Sequence, residues 1–113
     1  MTRFVNITRW DPQTARALRE RWNAVINGTA PQAVLDAFAK IKWITQDISL
    51  PNRLSVMVYE VEEKDLLATV PLSLYMQDVC MQEEYLSATM EDFLAASEKL
   101  PPETIPKPES WTK

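Results

Sequence analysis

Residues 3–9 alternate, with Val5 and Ile7 on one parity and Phe4, Asn6 and Thr8 on the other, the period of a strand with two distinct faces. Asp11-Pro12 then supplies an N-cap residue followed by a proline suited to the first helical position. Ala15, Leu18, Trp22, Val25 and Ile26 follow at helical spacing, and Gly28 stands where that helix would turn off through a left-handed residue. A second helix is expected from Thr29-Ala30-Pro31 onward, carrying Val34, Leu35, Phe38 and Ala39. Lys42 to Ile48 alternates again, Ile44 and Ile48 to one side and Trp43, Thr45 and Asp47 to the other. After the turn Leu50-Pro51-Asn52, Arg53 to Val61 is the clearest strand: Leu54, Val56 and Val58 oppose Ser55, Met57 and Tyr59. Strand, turn and strand over so short a stretch predict an antiparallel hairpin.

From Glu62 the pattern turns helical through Leu66, Leu67 and Val70, and Pro71 implies a kink or a break into two short helices. Residues 77–86 fit either a strand, with Val79, Met81 and Tyr85 alternating, or a continued helix. The strand is preferred, because the sheet would otherwise be left short. Thr89-Met90-Glu91-Asp92 opens a last helix in capping-box style, reaching about Leu100 with Phe93, Ala96 and Leu100 inward. Residues 101–113 hold four prolines and read as an extended tail, with Trp111 either packed on a partner or part of a loose end. The organisation is thus one domain over residues 1–100 and a Pro-rich tail over 101–113.

The order β-α-α-β-β-α-β-α predicts an α+β, ferredoxin-like arrangement: a four-stranded antiparallel sheet with helices on one face. Val5, Ile7, Ile44, Ile48, Leu54, Val56 and Val58 are expected to meet the helices. The other face would carry Phe4, Asn6, Thr8, Trp10, Trp43, Thr45, Asp47, Ser55, Met57 and Tyr59. That set is too aromatic for a solvated face and too polar for a sealed core, so it predicts two sheets packed face to face in a homodimer around a partly polar cavity.

Composition narrows the chemistry. In 113 residues there is no histidine, one glycine and one cysteine. His-based triads, His-bearing zinc sites and His-ligated haem are excluded, as are glycine-rich phosphate loops. Lone Cys80 flanked by Val79 and Met81 reads as a buried, inert thiol. The formal net charge of −4 argues against a nucleic-acid partner. No apolar leader and no long apolar run are present, so neither a membrane span nor export is expected and the localisation reads as cytoplasmic. No cofactor is expected. The charges are nevertheless segregated: five arginines lie in the first 22 residues, while Glu60 to Glu98 is almost wholly acidic. That asymmetry suits either docking of two copies, basic end to acidic end, or plain solvated helix faces.

In its order of elements and its single-domain size, the chain resembles the dimeric alpha+beta-barrel superfamily. The segment VMVYEVEEKDLLATV (Val56–Val70) is similar to a family of small uncharacterised bacterial and archaeal proteins, in which a strand ends in an acidic turn before an amphipathic helix and a short strand. The resemblance spans roughly residues 3–98 and rests on patterns of hydrophobicity. It implies a homodimer with a pocket between sheet and helices or within the barrel. The superfamily includes cofactor-free monooxygenases, haem-degrading oxygenases and muconolactone-isomerase-like enzymes, so it selects no reaction. The inserted helix Pro31–Ala39 and the tail depart from its simplest members, and members using an axial histidine have no counterpart here.

Among candidate groups, Asp47 beside Trp43 and Thr45 would be a carboxylate desolvated by aromatic neighbours, with Tyr59 beside it as the second catalytic candidate. Its alternative is a solvated residue near a strand end. Asn6, Thr8, Trp43, Ser55 and Met57 are the candidate ligand-binding residues. Glu60, Glu62 and Glu63 could hold a metal or simply favour a helix start. Trp22 suits a core position and Trp10 a staple over the helix entry. The expected function is a homodimer that binds a small apolar or aromatic molecule. The alternatives are cofactor-independent oxygenation or isomerisation of an aromatic or polyketide-like substrate, and a protein-interaction module.

Overall fold

The computed structural model describes residues 1–99. Four strands, β1 (Thr2–Arg9), β2 (Lys42–Ser49), β3 (Leu54–Val61) and β4 (Met81–Ser87), form one antiparallel sheet in the order β2-β3-β1-β4. Helices α1 (Ala15–Ile26) and α2 (Gln32–Ala39) lie between β1 and β2, α3 (Val70–Met76) lies between β3 and β4, and α4 (Met90–Ser97) follows. The result is an α+β fold consistent with the ferredoxin-like arrangement, and residues 81–87 are the expected fourth strand. The tail and Trp111 lie outside the described residues.

Local signals place most of the boundaries. Gly28 takes φ +76°. Its N–H reaches Val25 O at 3.3 Å while Thr29 N–H reaches Ala24 O at 2.8 Å, the paired bonds of a Schellman cap. Thr89 caps α4 by accepting from Asp92 N–H at 3.1 Å. Pro71 enters the first turn of α3, and two single 3₁₀ turns, Glu63–Asp65 and Leu67–Thr69, precede it, so the proline breaks the predicted helix rather than kinking it. The start of α1 is shifted. Asp11 is not its N-cap; Asp11 to Thr14 closes a turn through Thr14 N–H to Asp11 O at 3.1 Å, and the helix opens at Ala15. Phe93 is not inward-facing either: it is 60% exposed, and Met90 and Leu94 of the same helix are also exposed.

A main core forms among the helices, from Leu18 and Val25 of α1, Val34 and Ala37 of α2, Leu72 and Met76 of α3, and Ala30 and Val79 nearby. Aromatic rings bridge this helical layer to the sheet. Trp22 of α1 meets Trp43 of β2 with ring centroids 6.3 Å apart, Phe38 of α2 meets Trp43 at 5.8 Å, and Trp43 meets Tyr59 of β3 at 5.4 Å. Phe4 stacks on Tyr59 from β1, also at 5.4 Å.

The sheet presents its faces the other way round from the sequence expectation. Asn6, Thr8, Ser55, Met57, Tyr59 and Val61 are buried beneath the helices, whereas Val5, Ile7, Val56 and Val58 line the uncovered face and are only half-buried. Two causes are visible. The bulky parity supplies the rings that span the gap to the helices. The polar side chains on it bond to one another, so burying them leaves few groups unmatched. The charge asymmetry also has an internal answer. Arg9 pairs with Glu83, Arg3 with Glu60 at 3.3 Å and Arg21 with Asp78, so the basic start meets the acidic half within the same chain.

Candidate functional site

Between α1 and the sheet the two layers part, leaving a cleft of about 520 Å³. Trp10, Leu18, Trp22 and Ile26 wall it from the helix side, Phe38 closes one end, and Ile48, Leu50 and Met57 wall it from the hairpin. Its polar lining is Thr8 and Ser55, buried on the sheet, together with Gln46, Asn23 and Arg19. A volume of this size with apolar walls and few polar groups is that of a small-molecule site.

Beside it, a second space of about 30 Å³ is lined by Asn6, Trp43, Tyr59, Gln82 and the exposed Glu84 together with Ile41, Thr69 and Ser73. Trp22 and Met57 line both spaces and so form the partition between cleft and chamber. The chamber wall is a polar network. Thr8 Oγ1 donates to Asn6 Oδ1 at 2.6 Å, Asn6 Nδ2 donates to Glu84 Oε1 at 3.1 Å, and the Tyr59 hydroxyl donates to the same oxygen at 2.6 Å. Gln82 Nε2 is held by Ser73 O at 3.2 Å. Burial, and next the bond to Glu84, push the Tyr59 phenol far above its ordinary range, so it stays a neutral donor. Trp43 Nε1 is buried and has no hydrogen-bond partner among the described residues.

Thr8, Ser55 and Met57 therefore reach the cleft, while Asn6, Trp43 and Tyr59 reach the chamber, with Met57 common to both. Asp47 reaches neither. A register shift between Trp43 and Thr45 inserts an extra residue into β2, so that Trp43 lies opposite Tyr59 but Asp47 lies opposite Val56 on the uncovered face. Parity counted from Trp43 thus inverts beyond the bulge. The same shift turns Gln46 and Ile48 toward Met57 and Ser55, where both line the cleft. Asp47 and Tyr59 accordingly stand on opposite faces and do not act as a pair.

Glu84 is the residue that sequence reasoning missed. It looked like one more charge in an acidic stretch, and only its register opposite Asn6 makes it the common acceptor of two buried donors. Glu60, a candidate metal ligand, instead takes Arg3 at 3.3 Å and Lys42 at 3.8 Å. Cys80 donates to Met76 O at 3.3 Å, and burial pushes its thiol pKa up, away from a nucleophile's range. No helix among the described residues is long and apolar enough to cross a membrane.

The fold and site together define an α+β protein with a ferredoxin-like sheet and an apolar cleft beneath its first helix. No family model, curated protein or solved structure matches the chain, so the chemistry of the site carries the functional reading.

Proposed function

We propose that this protein binds a small, flat apolar or aromatic molecule in the cleft between α1 and the sheet, and does so as a homodimer. The observation that carries the reading is the cleft itself: about 520 Å³ with two tryptophans, a phenylalanine and aliphatic side chains as walls. Filling such a space with an apolar body removes Trp10 and Trp22 surface from water and gains about 25 cal/mol per Å² buried. The few polar groups in its lining orient the ligand rather than hold it. The homodimer reading rests on the uncovered sheet face, where Val5, Ile7, Val56 and Val58 form a half-buried apolar band. Arg3–Glu60 and Arg9–Glu83 flank that band with matched charges.

The ligand reading is tested with 2-methylnaphthalene, followed by quenching of tryptophan fluorescence. Saturable quenching is expected, because Trp10 and Trp22 face the cleft. Ala15→Trp, which places a ring inside the cleft, should weaken binding at least tenfold while leaving the thermal midpoint little changed. Absence of saturable quenching in the wild-type protein would remove the ligand reading.

A further inference from the structure

The 30 Å³ chamber behind Met57 has a size and a donor–acceptor pattern that the apolar cleft lacks. Trp43 Nε1 is a buried donor without a partner. Glu84 Oε1 already accepts from Asn6 and Tyr59, whereas Oε2 takes part in none of the hydrogen bonds among the described residues. Both residues line the same chamber, and its volume suits one oxygen atom rather than a larger group. A hydroxyl suits this space, as a water would: it accepts from the buried Trp43 N–H on one side and donates to the carboxyl of Glu84, which lies on the chamber's exposed side. Met57 has an unbranched thioether chain that can swing between rotamers, so the partition toward the cleft is the movable one.

We infer that the chamber is the polar end of the ligand site, and that the ligand class is an aromatic alcohol or phenol. Its ring occupies the cleft, and its single hydroxyl passes Met57 to bond Trp43 Nε1 and Glu84. This rests on the proposed ligand reading and adds the identity of the recognised group. A methyl in place of the hydroxyl has the same size but leaves the buried indole N–H unpaired, a loss that corresponds to about tenfold or more in affinity. Tyr59 and Asn6 act through Glu84: their two bonds fix the carboxyl group in the chamber wall.

The test compares 2-naphthol with 2-methylnaphthalene on the full chain, by tryptophan quenching. The expected result is 2-naphthol binding about tenfold or more tightly to the wild-type protein. That preference, taken as the ratio of the two affinities in the same variant, should fall to within about twofold in Trp43→Phe, which keeps a ring but loses the N–H. Glu84→Gln is the second variant, should Trp43→Phe fail to fold, and is expected to reduce the preference as well. Equal affinity of the two probes for the wild type, or a preference that survives both substitutions, overturns the hydroxyl subsite and leaves the cleft reading standing. Binding of neither probe overturns both.

Discussion

At the scale of single residues, two backbone positions among the described residues carry the left-handed conformation, and only one of them is glycine. Gly28 has φ +76° and Arg53 has φ 49°. A Cβ built at Gly28 would meet nothing within 4 Å, so its replacement is opposed by torsion alone. Gly28→Ala is therefore expected to lower stability by about 1 kcal/mol, with no change in the cleft. Arg53 closes the β2–β3 turn, accepting at its C=O from Trp10 N–H at 3.2 Å, so the strain there serves a connection to β1. Arg53→Gly should shift stability by less than about 0.5 kcal/mol, because relief of strain offsets the greater chain entropy of glycine. Urea midpoints of the two variants check the pair, and equal losses would contradict the torsional account.

At the scale of elements, α1 is tied to the end of α3 by Arg21. Its guanidinium donates to Tyr75 O and to both carboxyl oxygens of Asp78, and lies 5.3 Å from the Tyr75 ring centroid. This hydrogen bond holds the Asp78 carboxyl below the usual carboxylate range, and the Tyr85 hydroxyl, with help from Arg9, does the same for Glu83. A carboxyl whose folded pKa is depressed binds its proton more readily in the unfolded chain. The stabilisation is thus fully present above about pH 5 and is lost as pH falls through the depressed values, from about pH 4 downward. Thermal melts should be level from pH 7 to pH 5 and fall below about pH 4, and Asp78→Asn should flatten part of that fall. Both carboxyl groups are solvent-exposed, so the effect on the midpoint is modest. A midpoint that rose on acidification would contradict the ion-pair account.

At the scale of the whole molecule, the decisive feature is which side of the sheet the helices cover. They cover the aromatic and polar side, so the cleft and chamber lie within one chain. The side left open carries an apolar band, Tyr85 and Met81 of the edge strand exposed beside Val5, Ile7, Val56 and Val58, with Asp47 and the Arg3–Glu60 and Arg9–Glu83 pairs around it. Light scattering across a concentration series is expected to give a dimer. Val58→Lys, which places a charge at the middle of the open band, should give a monomer that still binds 2-methylnaphthalene. A wild-type monomer at all concentrations would remove the homodimer reading without touching the cleft.

The strands, most of the helices and the caps at Gly28 and Thr89 were legible in the sequence because their causes are local, whereas the start of α1 was not. Alternation marks β1 and β3, the left-handed need at Gly28 ends α1, and the Thr89 hydroxyl reaches an amide three residues on. That Asn6, Thr8, Trp43, Ser55 and Met57 share one face of the sheet was also legible, since their parity mixes rings with hydrogen-bonding side chains, but not that they divide between two spaces. Asp47 was misplaced because parity assumes one residue per step, and the irregularity after Trp43 adds one. The covered face was misassigned for a different reason. An apolar face can go to helices or to open surface, and which wins depends on whether the polar face can satisfy itself. Here it does so through Asn6 and Glu84, 78 positions apart, and through Tyr59 and Glu84, 25 positions apart. Sequence by itself determined most of the elements and the parity that groups Asn6, Thr8, Ser55, Met57 and Tyr59 on one face. Only the tertiary structure decided which of them meet, because hydrogen bonds between distant strands exist only after the sheet has set its register.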